Sequence, residues 1–138
     1  KDRLIADCNA ACDELDFPAG MSGAEGEHMR IVENTPEVHN VIVCTLCSCY
    51  PWPTLGLPPY WFKDPTLRAR VVREPRVVLS EFGVDIDDSV EVKVWDSSAQ
   101  IRWWVLPMRP AGSEGMSEEA LAAMLTPEAM MGVATAQA

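Results

Sequence analysis

Three cysteines fall within six residues, in the run Cys44-Thr45-Leu46-Cys47-Ser48-Cys49. Cys-x-x-Cys-x-Cys offers three thiolates to a soft or borderline metal ion. A structural zinc site wants four ligands in a tetrahedron, usually as two separated pairs. No second pair is present, but His39, five residues upstream of Cys44, would complete a three-cysteine, one-histidine site. An iron–sulfur cluster would need a fourth cysteine, for which only Cys8 or Cys12 is available. The pair Cys47 and Cys49 argues for something rarer. Two cysteines one residue apart share an ion only if the chain folds tightly over it, which brings the backbone nitrogens of Ser48 and Cys49 against that ion. Three sulfurs and two deprotonated amides make a square-pyramidal claw with one position open. Such a donor set suits a trivalent low-spin ion better than zinc, and an open position is what a Lewis-acid catalyst needs.

The surrounding sequence has to hold this loop. The apolar run Val38–Val43 feeds directly into Cys44, and four prolines with one glycine follow within residues 50–59. So many breakers exclude a regular element, so the cysteines sit in a stiff loop. Leu4, Ile5, Cys8, Cys12 and Leu15 have helical spacing, which predicts one amphipathic helix over residues 2–15. On its buried face Cys8 and Cys12 read as small apolar residues. Asp64-Pro65 reads as a helix cap followed by proline in the first turn, and Glu74-Pro75 restarts the helix up to a stop at Gly83. Residues 90–95 alternate with period two, as a half-buried strand does. With Ile101–Leu106 they are expected to form an antiparallel hairpin across the turn 96–100. On a strand, Trp103 and Trp104 must face opposite sides, leaving one for a subunit contact. Ser117 and Thr126-Pro127 cap two short helices near the end.

Composition narrows the function classes. The chain has 138 residues, enough for one domain with a real core, and 48% of them are hydrophobic. With 21 acidic against 11 basic residues the formal charge is -10, which argues against nucleic acid as a partner. Arg68, Arg70, Arg73 and Arg76 cluster, and read as a solvated helix face or, more sharply, as a patch for an acidic partner. No apolar run approaches the roughly 20 residues that span a bilayer. The first residues lack a secretory h-region, and five cysteines crowded in this way are not a disulfide framework. A reducing cytoplasm with metal chemistry is expected.

The run Val43-Cys44-Thr45-Leu46-Cys47-Ser48-Cys49-Tyr50-Pro51-Trp52-Pro53, followed by Leu55-Gly56-Leu57-Pro58-Pro59, resembles the metal loop of nitrile hydratase alpha subunits. The similarity extends over residues 68–76, 94–99 and 106–112, and upstream to Gly26-Glu27-His28 and residues 35–40. The resemblance implies a layered α/β/β/α domain of the α+β class over residues 21–138, with residues 1–20 as the remnant of a truncated helical N-terminal arm. It implies a non-corrinoid cobalt(III) ion rather than iron(III), because threonine at position 45 is the cobalt-type signature. Cys44 would be the axial thiolate, Cys47 a sulfinic acid and Cys49 a sulfenic acid. The amide nitrogens of Ser48 and Cys49 would complete the ligands. Trp52 would line the substrate pocket, and Arg102 matches a family arginine near the active centre. Glu25 stands where the family commonly has glutamine, which alters substrate handling or partner contacts. The implied reaction is hydration of a nitrile to an amide, by a hetero-oligomer with a separate beta subunit. Polarisation of the nitrile, acidification of water, and activation of water by the Cys49 sulfenate are all compatible with the sequence. The related thiocyanate hydrolase metal subunit is the first alternative, although Tyr50-Pro51-Trp52 and Met108-Arg109-Pro110 fit nitrile hydratases better. A zinc-stabilised interaction module using His39 is the alternative that is not an enzyme.

Overall fold

A computed structural model describes residues 1–16 and 28–136. In chain order these residues form α1 (Asp2–Ala6), α2 (Cys8–Asp13), β1 (His28–Glu33), β2 (Val38–Val43), α3 (Trp52–Leu55), α4 (Tyr60–Lys63), α5 (Pro65–Arg73), α6 (Pro75–Glu81), β3 (Glu91–Asp96), β4 (Ile101–Leu106), α7 (Glu118–Ala123) and α8 (Pro127–Met130). The class is α+β, as the resemblance implied.

The strands make two separate two-stranded sheets, β1 with β4 and β2 with β3, and both pairs are parallel. The expected antiparallel hairpin between β3 and β4 does not form. Alternation reports which face of a strand is buried, not which strand lies beside it. Here residues 96–100 carry the chain from one sheet to the other. Ser97 Oγ accepts the Trp103 N–H at 3.1 Å, and the Trp95 and Trp103 rings pack with centroids 4.6 Å apart. Parallel partners need long crossovers, and α3 to α6 supply one between β2 and β3. The sheets touch through β2 and β4, α1 and α2 lie against β1, and α5 and α6 lie against β2 and β3. The layers therefore run helix, sheet, sheet, helix.

Two local features explain the remaining geometry. The helix expected over residues 2–15 is broken at Asp7, whose backbone is extended (φ -150, ψ 95). Its side chain instead accepts the Ala10 N–H at 3.0 Å and caps α2. A short carboxylate that satisfies an orphan N–H competes well with one more turn of helix. Cys8 and Cys12 are buried on the inner face of α2, as read. Asp64 caps α5, accepting from the Thr66 and Leu67 N–H groups at 2.8 and 3.0 Å.

The start of β2 is locked by a buried polar network. Asn34 Oδ1 accepts the Asn40 N–H at 2.7 Å, and Asn40 Oδ1 accepts the Trp95 indole N–H at 2.8 Å. His39 Nε2 donates to the Gly132 carbonyl at 2.7 Å, which fixes the tautomer and leaves Nδ1 to accept from Asn34 Nδ2 at 3.4 Å. Burial lowers the pKa of His39, with the Gly132 bond pulling the other way. Gly132 sits at φ 79, and a Cβ there would lie 1.9 Å from the Asn40 carbonyl oxygen. Only glycine lets this turn close on β2.

Candidate metal centre

β2 ends at Val43 and delivers Cys44 fully buried to the head of the loop. Thr45, Leu46, Cys47 and Ser48 are exposed, and Cys49 and Tyr50 turn back into the core. Tyr50 is held there by edge-on packing with Phe62 of α4, ring centroids 5.1 Å apart. Its carbonyl accepts the Arg102 guanidinium at 2.9 Å and the Trp52 N–H at 2.8 Å. The loop is thus tied at both ends to regular structure, and its middle faces outward.

The three sulfurs converge. Cys47 Sγ lies 3.4 Å from Cys44 Sγ and 2.9 Å from Cys49 Sγ, and all three lie within 4.8 Å of one another. A metal–thiolate bond of about 2.3 Å lets one ion reach sulfurs gathered this closely. His39 belongs to no such group among the described residues, and its ring is committed to Gly132 and Asn34. The three-cysteine, one-histidine zinc reading therefore loses its fourth ligand. Cys8 and Cys12 sit in the core under α2 and do not join the cluster either.

The electrostatics separate the thiols. Burial pushes Cys49 up to about 12, the bond it gives to Cys47 adds to this, and the positive charge of Arg102 opposes it. Cys47 is lowered, first by the Cys49 hydrogen bond and then, against the cost of burial, by Cys44 and by the N–H groups of Cys49 and Ser48.

Of the residues read as lining a pocket, Arg102 is buried beside Cys49 and below Tyr50. Trp52 opens α3 just past the loop and is about half exposed, at 53%. Glu25 lies outside the described residues. Two neighbours of the loop were not singled out from the sequence. Asp96 read as part of a turn, yet its carboxylate accepts from both the backbone and the hydroxyl of Thr45 at 2.9 and 2.5 Å. Arg68 read, with its cluster, as a solvated helix face or a patch for an acidic partner, yet its Nη1 lies 3.4 Å from the Cys44 carbonyl. The arginine cluster as a whole is mostly engaged within the chain. Arg70 bridges Glu74 and Glu81, and Arg76 donates to the carbonyls of Ile86, Asp87 and Val90.

This fold and this loop have known counterparts. The family described as nitrile hydratase, alpha chain, matches residues 1–134. The cobalt-containing nitrile hydratase subunit alpha of Pseudonocardia thermophila is 60% identical, covering 100% of this chain and 66% of that one. The low-molecular weight cobalt-containing nitrile hydratase subunit alpha of Rhodococcus rhodochrous is 56% identical, covering 96% of this chain and 62% of that one. Among solved structures, a double mutant of the Fe-type nitrile hydratase from Comamonas testosteroni Ni1 superposes with a TM-score of 0.91 at 41% identity, covering 99% of this chain and 65% of that one. The gamma subunit of thiocyanate hydrolase from Thiobacillus thioparus is more distant, at 44% identity over 78% of this chain and 44% of its own length. The chain belongs to the nitrile hydratase alpha-chain family. It spans just under two thirds of the length of the relatives it matches.

Proposed function

We propose that this chain is the metal-carrying subunit of a nitrile hydratase, adding water to a nitrile to give the amide. Cys44, Cys47, Cys49 and the amide nitrogens of Ser48 and Cys49 would hold a non-corrinoid cobalt(III) ion, with Cys47 as a sulfinic and Cys49 as a sulfenic acid. The observation that carries this reading is the gathering of three sulfurs within 4.8 Å of one another on one short loop, in a chain 60% identical to a cobalt-containing relative. When bound, such an ion supplies Lewis acidity at its open position.

The chain's own residues do the rest. Arg102 places a buried positive charge beside Cys49, where an oxidised sulfur would carry negative charge. Exposed Leu46 and Trp52 border the loop with apolar surface, which favours an organic substrate over water. Trp52 and Glu25 are assigned to the substrate pocket. Closure of that pocket is assigned to a separate beta subunit in a hetero-oligomer, because Leu46, Leu57 and Tyr60 stand more than four-fifths exposed around the loop. Residues 1–20 are assigned to a helical N-terminal arm and residues 21–138 to the metal-binding domain; among the described residues the two are linked by the bond from the Met29 N–H to Asn9 Oδ1 at 2.8 Å. The cytoplasm is assigned on the crowding of three of the five cysteines into six residues, a pattern of metal binding rather than of a disulfide framework.

The test is to produce the chain with its beta subunit and cobalt, and to offer a nitrile and thiocyanate separately. Amide from the nitrile, one equivalent of cobalt, and an intact mass carrying two oxygens on Cys47 and one on Cys49 are expected. Carbonyl sulfide and ammonia from thiocyanate, with no amide from the nitrile, would give the chain to the thiocyanate hydrolase class instead.

A further inference from the structure

Two charged side chains from different elements meet on one peptide group at the head of the cysteine loop. The peptide joining Cys44 to Thr45 has its carbonyl oxygen 3.4 Å from Arg68 Nη1, and its N–H donates to Asp96 Oδ1 at 2.9 Å. The second oxygen of the same carboxylate accepts the Thr45 hydroxyl at 2.5 Å. A guanidinium on the oxygen and a carboxylate on the N–H match the two poles of the peptide dipole. The Asp96 bond has the length of a charge-assisted hydrogen bond, and the Arg68 contact at 3.4 Å is the looser of the two.

Neither side chain depends on the loop for its own position. Arg68 projects from α5, and its Nε is buried with no partner among the described residues. Asp96 is the last residue of β3, paired in register with Val43, and the next N–H, that of Ser97, donates to the Val43 carbonyl at 2.7 Å. We propose that Arg68 and Asp96 are positioning residues that clamp the Cys44–Thr45 peptide and so preset the loop that gathers the three sulfurs. This rests on the reading that the loop holds a metal ion. Because β2 anchors the chain up to Val43, fixing the plane of that peptide constrains the backbone at Cys44, the Asp96 bond to the hydroxyl steadies Thr45, and only Leu46 then separates Thr45 from Cys47. Without the clamp, the ordering of the loop must be supplied at the moment of metal binding, at the expense of affinity.

The full chain, metal-free and with reduced thiols, is titrated with cobalt(II) chloride, following the sulfur-to-cobalt absorption band. Asp96→Ala and Arg68→Ala are each expected to raise the half-saturating cobalt concentration by about 10- to 100-fold, the usual weight of a partner just outside the ligands. Asp96→Asn, which keeps one acceptor oxygen, should fall between Asp96→Ala and the unaltered chain. The double alanine variant should lose less than the product of the two single losses, because both act on one peptide. Thr45→Val, which removes only the exposed hydroxyl bond, serves if a larger change prevents folding, and is expected to weaken cobalt severalfold. Variants that bind cobalt like the unaltered chain, with the same absorption band, overturn the clamp alone. An unaltered chain that takes up no cobalt overturns the metal reading and the clamp together.

Discussion

The two ends of β2 are built to opposite rules. At its start, Asn34, His39, Asn40, Trp95 and the Gly132 turn satisfy one another inside the chain. At its far end, the strand delivers Cys44 to a loop whose middle faces out and whose buried neighbours are left incomplete. Of the five buried polar side-chain atoms with no partner among the described residues, Tyr50 Oη, Arg68 Nε and Arg102 Nε belong to the loop or to residues that contact it, and Trp61 Nε1 and Trp104 Nε1 lie elsewhere. Buried polar groups are normally paired, and the exceptions collect at sites that await a ligand or a partner. The closed end is satisfied within the chain, and the open end holds the proposed metal loop.

The largest effect that would break this contrast is at the open end. Cys49→Ser removes a sulfur from the cluster and is expected to weaken cobalt by more than the roughly 100-fold contributed by outer partners. Elemental analysis of the purified protein checks this. The thermal midpoint of the metal-free chain should move less than the cobalt affinity, because serine keeps the shape of the buried Cys49 side chain. Next in size is Gly132→Ala at the closed end, where a Cβ meets the Asn40 carbonyl at 1.9 Å and φ is 79. Strain and overpacking together cost about 3 kcal/mol or more. Denaturant unfolding would measure this, and an unchanged midpoint would mean that the turn does not close on β2.

The same contrast shows what the sequence makes legible. The cysteine loop was readable because its spacing leaves few chemical alternatives and its prolines exclude regular structure. Caps such as Asp64 and Ser117 were readable because their partners lie two or three residues away. The strand partners were not, since period-two burial is the same for a hairpin and for two parallel pairs. The polar network at the start of β2 joins residues 34, 39, 40, 95 and 132, and no local pattern links them. The contacts of Asp96 and Arg68 with the loop have no local signature either. Their contacts with the loop span 51 and 24 residues of sequence.

A smaller effect sharpens the closed end through pH. His39 is held neutral, its pKa lowered first by burial. The unfolded histidine titrates near about 6.5. Below that pH the unfolded chain takes up a proton that the folded chain refuses. Stability is therefore fully present above the unfolded value and declines as pH falls toward the lowered folded value. His39→Gln keeps an N–H for the Gly132 carbonyl and removes the titration. Its stability is expected to fall less between pH 7 and pH 5 than that of the unaltered chain, as read from unfolding curves at each pH. Parallel curves would mean that the ring is protonated in place.

The smallest effect on folding is expected at Leu57, which is 89% exposed beside the open end. Leu57→Ser removes no buried contact, so its cost to the chain alone should stay within about 0.5 kcal/mol. If the apolar rim of Leu46, Leu57 and Tyr60 is a docking surface, the same change should weaken assembly with a beta subunit by about 1 kcal/mol or more, roughly fivefold in the dissociation constant. The contrast lies in the ratio of the two numbers. A residue that belongs to the chain's own core loses stability first and assembly as a consequence, whereas a residue presented to a partner loses assembly with its fold intact. Equal losses in both measurements, by denaturant unfolding and by sedimentation of the complex, would move Leu57 from the open end to the closed one.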